Sequence, residues 1–277
     1  MTYSLRQAYT ALVSQHQSFI GQLETRWNRA NTRVCVGLDP NPSKFPPHVR
    51  DVLEFCKKIV RATAPFVCAF KPQVAYFSAL GYEDELVELI SWIHENFVGI
   101  PIILDAKRGD IGSTAELYAK EAFERYKADA VTVNPYLGEE SIRPFLDYDG
   151  KGIFLLCRTS NKGSSWLQNY PNEEPIYLRV AKKAADIAKK HNVMLVVGAT
   201  YPEDLMRVRS LVGDMPILVP GIGAQGGDLQ ATIANGGNRL ILNSSRGIIY
   251  AGASENFEEE VAAAARALRD NIKKYIE

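Results

Sequence analysis

RVCVGLDPNP, residues 33–42, is the first of eight short apolar runs, and the way it ends decides the fold. A nearly continuous β-branched run is a strand buried on both faces, as in parallel sheets covered by helices. In a doubly wound nucleotide-binding sheet this first strand would open into a Gly-x-Gly-x-x-Gly turn. Here it ends instead in Gly37-Leu38-Asp39-Pro40-Asn41-Pro42. Reading outward, the runs FVCAFK (66–71), PIILDAK (101–107), ADAVTVN (128–134), GIFLLCR (152–158), VMLVVG (193–198), PILVPG (216–221) and RLILNSS (239–245) follow, separated by longer amphipathic stretches. Eight repeats of strand then helix predict a closed α/β structure, a (β/α)8 TIM barrel, and 277 residues suit one such domain over 1–277. Before the first strand, Leu5, Ala8, Leu12, Phe19, Leu23 and Trp27 recur at three-and-four spacing. That pattern predicts a helix over residues 4–28, within an N-terminal extension (1–30) packed on the barrel.

Lysine plus arginine and aspartate plus glutamate each number 32, and 46% of residues are hydrophobic. A balanced charge argues against a nucleic-acid partner. The opening MTYSLRQAYT has no basic region leading into an apolar run, and no segment nears the ~18 apolar residues that span a bilayer. The expectation is a cytoplasmic protein without a membrane partner. Cys35, Cys56, Cys68 and Cys157 lack ligand spacing and are expected to be buried and reduced. His16, His48, His94 and His191 fall in helices or connections rather than at strand ends, so no metal site is expected.

In a (β/α)8 barrel the chemistry gathers at the C-terminal strand ends. The densest polar group there is LDAKRGDIGST, residues 104–114. Asp105 and Lys107, two apart on a strand, should share one face, and Asp110 follows in the loop. A charged residue after a strand ordinarily caps the next helix or lies in water. Several charges at a barrel mouth are different, because burial there is costly unless they are paired or used. After strands seven and eight come PGIGAQGGD and SSRG, two adjacent turns with exposed backbone N–H groups and Arg246, the usual position of a barrel phosphate site. Asp39 could serve only as a turn residue before Pro40, and Lys71 could merely reach from a strand end to water. The long stretch 161–175 after strand five is a candidate covering loop, with Trp166 on it.

The string Asp105-Ala-Lys107-Arg-Gly-Asp110-Ile111-Gly-Ser-Thr114 resembles the Asp-x-Lys-x-x-Asp-Ile-x-x-Thr signature of the orotidine 5′-phosphate decarboxylases, in the longer bacterial-type subgroup. The likeness covers nearly the whole chain, with supporting matches at GLDP, AFKPQ, TSNKG, PGIGAQGG and SSRG. It implies decarboxylation of orotidine monophosphate to uridine monophosphate, in de novo pyrimidine biosynthesis, with no cofactor and no metal. Lys107 would protonate C6, and Lys71, Asp105 and Asp110 would complete an alternating charge network. Asp39 and Lys71 would hold ribose hydroxyls, and Ser160, or Thr159 in its place, the pyrimidine. Pro220, Gln225 and Arg246 would line the phosphate side. The same resemblance implies a homodimer with shared sites, Asp110, Ile111 and Thr114 reaching across from the other subunit. Two other enzyme classes compete. A Mg2+-dependent sugar-phosphate decarboxylase or aldolase on this barrel would need an acidic residue where Lys71 stands. A Schiff-base aldolase would need Lys107 uncharged, against two neighbouring carboxylates. A non-catalytic nucleotide-phosphate sensor is the alternative from outside enzymology, and the intact Lys107 argues against it.

Overall fold

Each of the eight apolar runs forms a strand in the computed structural model, which describes residues 18–222 and 227–276. They are β1 (Val34–Leu38), β2 (Ala69–Pro72), β3 (Ile103–Arg108), β4 (Ala130–Val133), β5 (Gly152–Arg158), β6 (Val193–Val197), β7 (Ile217–Pro220) and β8 (Leu240–Ser244). All pair in parallel in the order β2-β1-β8-β7-β6-β5-β4-β3, and bridges Phe70 to Ile102 and Gln73 to Asp105 close β2 onto β3. After an initial helix α1 (Phe19–Ala30), one long helix follows each strand: α2 (Val52–Thr63), α3 (Glu83–Asn96), α4 (Gly112–Lys120), α5 (Glu139–Leu146), α6 (Ile176–Ile187), α7 (Pro202–Val212), α8 (Leu229–Gly236) and α9 (Phe257–Lys273). The expected (β/α)8 barrel is the observed one.

Side-chain capping fixes where several helices begin. Ser18 accepts from Gly21 N, Asp51 from Glu54 N and Asp228 from Ala231 N, each satisfying an amide that the first turn leaves unpaired. Helix α1 ends where Asn31 takes a left-handed conformation, φ +45°.

The strands alternate between two apolar compartments, as a period of two requires. Val34, Val36, Ile102, Leu104, Ile153 and Leu155 face outward to the helices, whereas Cys35, Ala69, Ile103, Ala130, Phe154, Met194 and Ile241 face inward. The inward set is completed from below by Phe19, Leu23 and Trp27 of α1, which therefore stoppers the N-terminal end of the barrel. Phe19 meets Phe154 edge-on with centroids 5.6 Å apart. The fit is close enough that a Cβ on Gly152 would stand 2.7 Å from the Phe19 ring, so β5 must begin with glycine. The apolar stripe read from the sequence is correct for these three residues; Leu5, Ala8 and Leu12 lie outside the described residues.

At the same end, buried Asp129 accepts from Ile102 N at 2.8 Å and pairs with His94 Nε2 at 2.9 Å. Burial is the largest influence and would push the Asp129 carboxyl up, but the His94 bond and charge, Lys151 and the Ile102 amide together outweigh it and hold the group below its ordinary value. His94 is thus a packing partner far from the strand ends. All four cysteines are buried and unpaired, as expected.

Candidate active site

Two residues beyond the inward apolar layer, the same strand faces become polar. Ala69 gives way to Lys71, Ile103 to Asp105, Ala130 to Thr132, and Ile241 to Asn243, while Leu156 and Val196 remain apolar. The stoppered core thereby becomes the floor of a cavity of about 460 Å3 at the C-terminal face. Asp39, Lys107, Ser160, Pro220 and Arg246 also line it. Of the residues singled out in the sequence, Lys71, Asp105, Lys107, Asp39, Ser160, Pro220 and Arg246 are therefore brought together.

The floor is an ion-pair chain. Lys71 Nζ lies 2.6 Å from Asp105 Oδ2, and Lys107 Nζ lies 2.6 Å from Asp105 Oδ1. Lys71 is buried, at 4% exposure, whereas the Lys107 side chain is 47% exposed and opens to the cavity. Burial alone would lower the pKa of Lys71, but the carboxylates of Asp105 and Asp39 outweigh it and raise the pKa well above the ordinary lysine value. Burial likewise opposes ionisation of Asp105, and the ammonium groups of Lys71 and then Lys107 overcome it, holding its carboxyl well below the usual range. Both members of the buried pair stay charged across neutral pH.

Regular strand alternation is not what brings Lys107 to this site. Between β3 and β4 the register shifts from Leu104 opposite Val131 to Arg108 opposite Val133. Asp105, Ala106 and Lys107 thus bulge against Thr132 alone, and Lys107 adopts φ +48°, a left-handed conformation uncommon outside glycine. The Thr132 hydroxyl accepts from Ala106 N at 3.0 Å and Lys107 N at 2.9 Å, and donates to Asp105 Oδ1 at 3.0 Å.

Three polar atoms at the cavity end of β1 and β8 are buried with no partner among the described residues: Asp39 Oδ1, Asn243 Oδ1 and Ser245 Oγ. A buried polar atom left unbonded costs about 1–3 kcal/mol, so such a group next to a cavity is a docking point for ligand hydroxyls or amides. Tyr250 fixes the Asp39 backbone, donating to Asp39 O at 2.8 Å while accepting from Asn41 N at 2.6 Å. On the far side, Pro220 and Gly221, the latter at φ +98°, line the cavity together with Arg246 and precede the glycine-rich turn read in the sequence. Gln225 lies in that turn, outside the described residues.

Arg158, fully buried at the end of β5, organises the loop above the cavity. Its Nε pairs with Asp204 at 2.8 Å, its other nitrogens reach Thr159 O, Ser164 Oγ, Ser165 Oγ and Gln168 Oε1, and its plane stacks 3.7 Å from the Tyr201 ring. Thr159 Oγ1 bonds both Asn161 and Gln168, whereas Ser160 contributes to the protein network through its carbonyl, which accepts from Thr200. Of the two, Ser160 has the hydroxyl available for a ligand. Trp166 is 80% exposed and does not line the cavity, so the expectation that it covers a ligand is not met in this conformation.

Asp110, Ile111 and Thr114 do not line the cavity of their own chain. Asp110 accepts only from Ile111 N among the described residues, and Ile111 is 57% exposed. The sequence reading missed Thr132, Asn243 and Ser245. A polar residue inside the apolar runs AVTVN and LILNSS was the available signal, and it was visible only once the inward face was known. Among the described residues no group of three or more His, Cys, Asp or Glu is arranged to hold a metal ion.

Known proteins resemble this chain over most of its length. A sequence model of the family described as "Orotidine 5′-phosphate decarboxylase / HUMPS family" matches residues 32–262. The chain is 54% identical to the orotidine 5′-phosphate decarboxylase of Dechloromonas aromatica (strain RCB), over 93% of this chain and 99% of the relative. It is 54% identical to that of Azoarcus sp. (strain BH72), again over 93% and 99%. The solved structure of Leishmania donovani OMP decarboxylase superposes with a TM-score of 0.82 at 38% identity, covering 94% of this chain and 99% of that one.

Proposed function

Because the chain belongs to the orotidine 5′-phosphate decarboxylase / HUMPS family, we propose that its cavity binds orotidine 5′-phosphate and that Lys107 protonates the carbon from which CO2 departs. The chain is a carboxy-lyase, and its relatives at 54% identity are decarboxylases of this substrate rather than sugar-phosphate enzymes. One observation carries the assignment of Lys107: an exposed ammonium group at the cavity, 2.6 Å from a carboxylate that is itself clamped by a buried lysine.

Loss of CO2 from C6 of the pyrimidine leaves an electron pair in the ring plane, with no carbonyl placed to take it up as an enolate. The Lys107 ammonium, aimed at that carbon, stabilises the developing charge and then transfers a proton from Nζ to C6. Asp105 orients the ammonium and keeps it in place. Ribose hydroxyls supply partners for Asp39 and Lys71, Ser160 bonds the pyrimidine, and Pro220, Gln225 and Arg246 receive the phosphate end. A preorganised contact supplies about 3–4 kcal/mol, against the roughly 8–23 kcal/mol by which enzymes lower barriers. Binding energy from the phosphate must therefore be used to order the loops and the charged floor. No cofactor has a part in these steps.

We further propose a cytoplasmic homodimer in which Asp110, Ile111 and Thr114 complete the partner's site. Supporting this, they turn from their own cavity, and exposed Ile111, Leu117, Tyr136 and Leu137 form apolar surface on the segments after β3 and β4. Four reduced, buried cysteines suit a reducing compartment. The deciding assay follows orotidine 5′-phosphate by absorbance with EDTA present. Wild type should convert it and Lys107→Ala should not while remaining folded; near-wild-type turnover by the variant would remove Lys107 from the mechanism.

A further inference from the structure

We propose that Thr132 is a positioning residue for catalysis, its hydroxyl holding both the backbone of Lys107 and the carboxylate of Asp105 in working geometry; this rests on the decarboxylase reading of the site. The register makes the hydroxyl necessary. Three residues of β3, Asp105 to Lys107, stand opposite Thr132, so the regular ladder between β3 and β4 is broken at the amides of Ala106 and Lys107. Both donate instead to Thr132 Oγ1, at 3.0 and 2.9 Å. A hydroxyl accepts two hydrogen bonds and donates one, and here the one it donates goes to Asp105 Oδ1 at 3.0 Å. All three of its capacities are used, and the residue is 1% exposed, so no water competes for them.

Orientation is set by the same three bonds. Lys107 carries a left-handed backbone, φ +48°, which persists only where neighbours over-determine it. The bond to its own amide supplies that constraint, and the bond to Asp105 Oδ1 fixes the oxygen that Lys107 Nζ contacts at 2.6 Å. Thr132 thus ties the start and the tip of the lysine to one point. Valine at this position keeps the shape and removes every bond, and serine keeps the bonds and removes a methyl group.

The test compares Thr132→Val, Thr132→Ser and wild type in steady-state turnover of orotidine 5′-phosphate, per folded molecule, with Tm recorded. A lysine displaced by about an ångström costs on the order of a hundredfold in rate. Thr132→Val should therefore lose about that much kcat with KM changed only a few-fold, because phosphate and ribose contacts are untouched. Thr132→Ser should stay within a few-fold of wild type. The acid limb of the kcat profile in Thr132→Val should also move to higher pH, since Asp105 loses a donor that favours its charged form. Wild-type kcat in the valine variant, whatever its Tm, overturns the proposal, as does a serine variant as impaired as the valine one. Should valine prevent folding, Thr132→Cys makes the same comparison with a weakly bonding group: reduced kcat at unchanged KM supports the role, and unchanged kcat overturns it. Inactive wild type would strike the decarboxylase reading itself, whereas active wild type with indifferent Thr132 variants strikes only this inference.

Discussion

Asp105 holds the floor together because its carboxylate bridges two lysines, and its removal should show this in a pH-dependent way. In the native protein Lys71 has its pKa raised, so the pair's contribution is fully present below the unfolded lysine value, near 10.4, and is lost as pH rises through the higher folded value. Asp105 has its pKa lowered, so its contribution is present above the unfolded value, near 3.9, and is lost as pH falls through the lower folded value. Asp105→Asn leaves Lys71 buried beside an amide, with Asp39 as its remaining counter-charge. Breaking a buried pair in this way costs about 3–5 kcal/mol. The deficit against wild type should be largest near neutrality and shrink toward pH 10, where shedding the Lys71 proton relieves the variant while wild type still keeps its pair. Urea unfolding of both proteins at pH 7 and pH 10 measures it, and a constant or growing deficit contradicts the electrostatic account.

At the scale of elements, the barrel divides its labour along its axis. Helix α1 closes the lower end with Phe19, Leu23 and Trp27, remote from the strand ends that carry the chemistry. Phe19→Ala should destabilise by about 3–5 kcal/mol through the cavity it leaves, with kcat of the folded fraction unchanged. Chemical denaturation and turnover measured together separate the two effects; a large fall in kcat would mean that the stopper and the site are coupled. In the proposed site the turns after β7 and β8 hold the phosphate without reacting, so Arg246 should act through phosphate affinity alone. Arg246→Ala should lower kcat/KM for the nucleotide on the order of 10- to 100-fold, the size of a lost charged hydrogen bond. The much slower decarboxylation of the phosphate-free nucleoside should hardly change. Equal losses with both substrates would take Arg246 out of the phosphate contact. These two elements were legible in advance for different reasons. The stripe of α1 is a local periodicity, and the turns after β7 and β8 begin side by side because those strands are neighbours in the barrel.

For the whole molecule, a shared site makes a prediction that no single chain can satisfy. A Lys107→Ala subunit paired with an Asp110→Ala subunit has one site with both lesions and one with neither. Random reassortment of equal amounts makes about half of the dimers mixed, so about a quarter of wild-type activity should return from two inactive parents. Subunit exchange is verified by mass spectrometry before assay. A mixture as inactive as its parents would mean that Asp110 acts within its own chain.

Strand count, the closed barrel and the charged residues of the cavity followed from the sequence, because burial on both faces writes a continuous apolar run and a barrel has one mouth for its chemistry. Lys71, Asp105, Lys107, Asp39, Pro220 and Arg246 were readable for that reason: each lies beyond the inward apolar layer of a strand or in the turn after it. What the tertiary structure alone decided lies between strands. The two-apart spacing of Asp105 and Lys107 suggested simple alternation, yet the bulge against Thr132 and the left-handed backbone at Lys107 deliver the lysine instead. Register is a property of a pair of strands, and neither strand carries it alone. For the same reason Thr132, Asn243 and Ser245 passed as ordinary strand and turn residues until their neighbours were known. A hydrogen bond across 27 residues, from Thr132 to Asp105, leaves no trace in local periodicity, and only the pairing of β4 with β3 brings its two ends together.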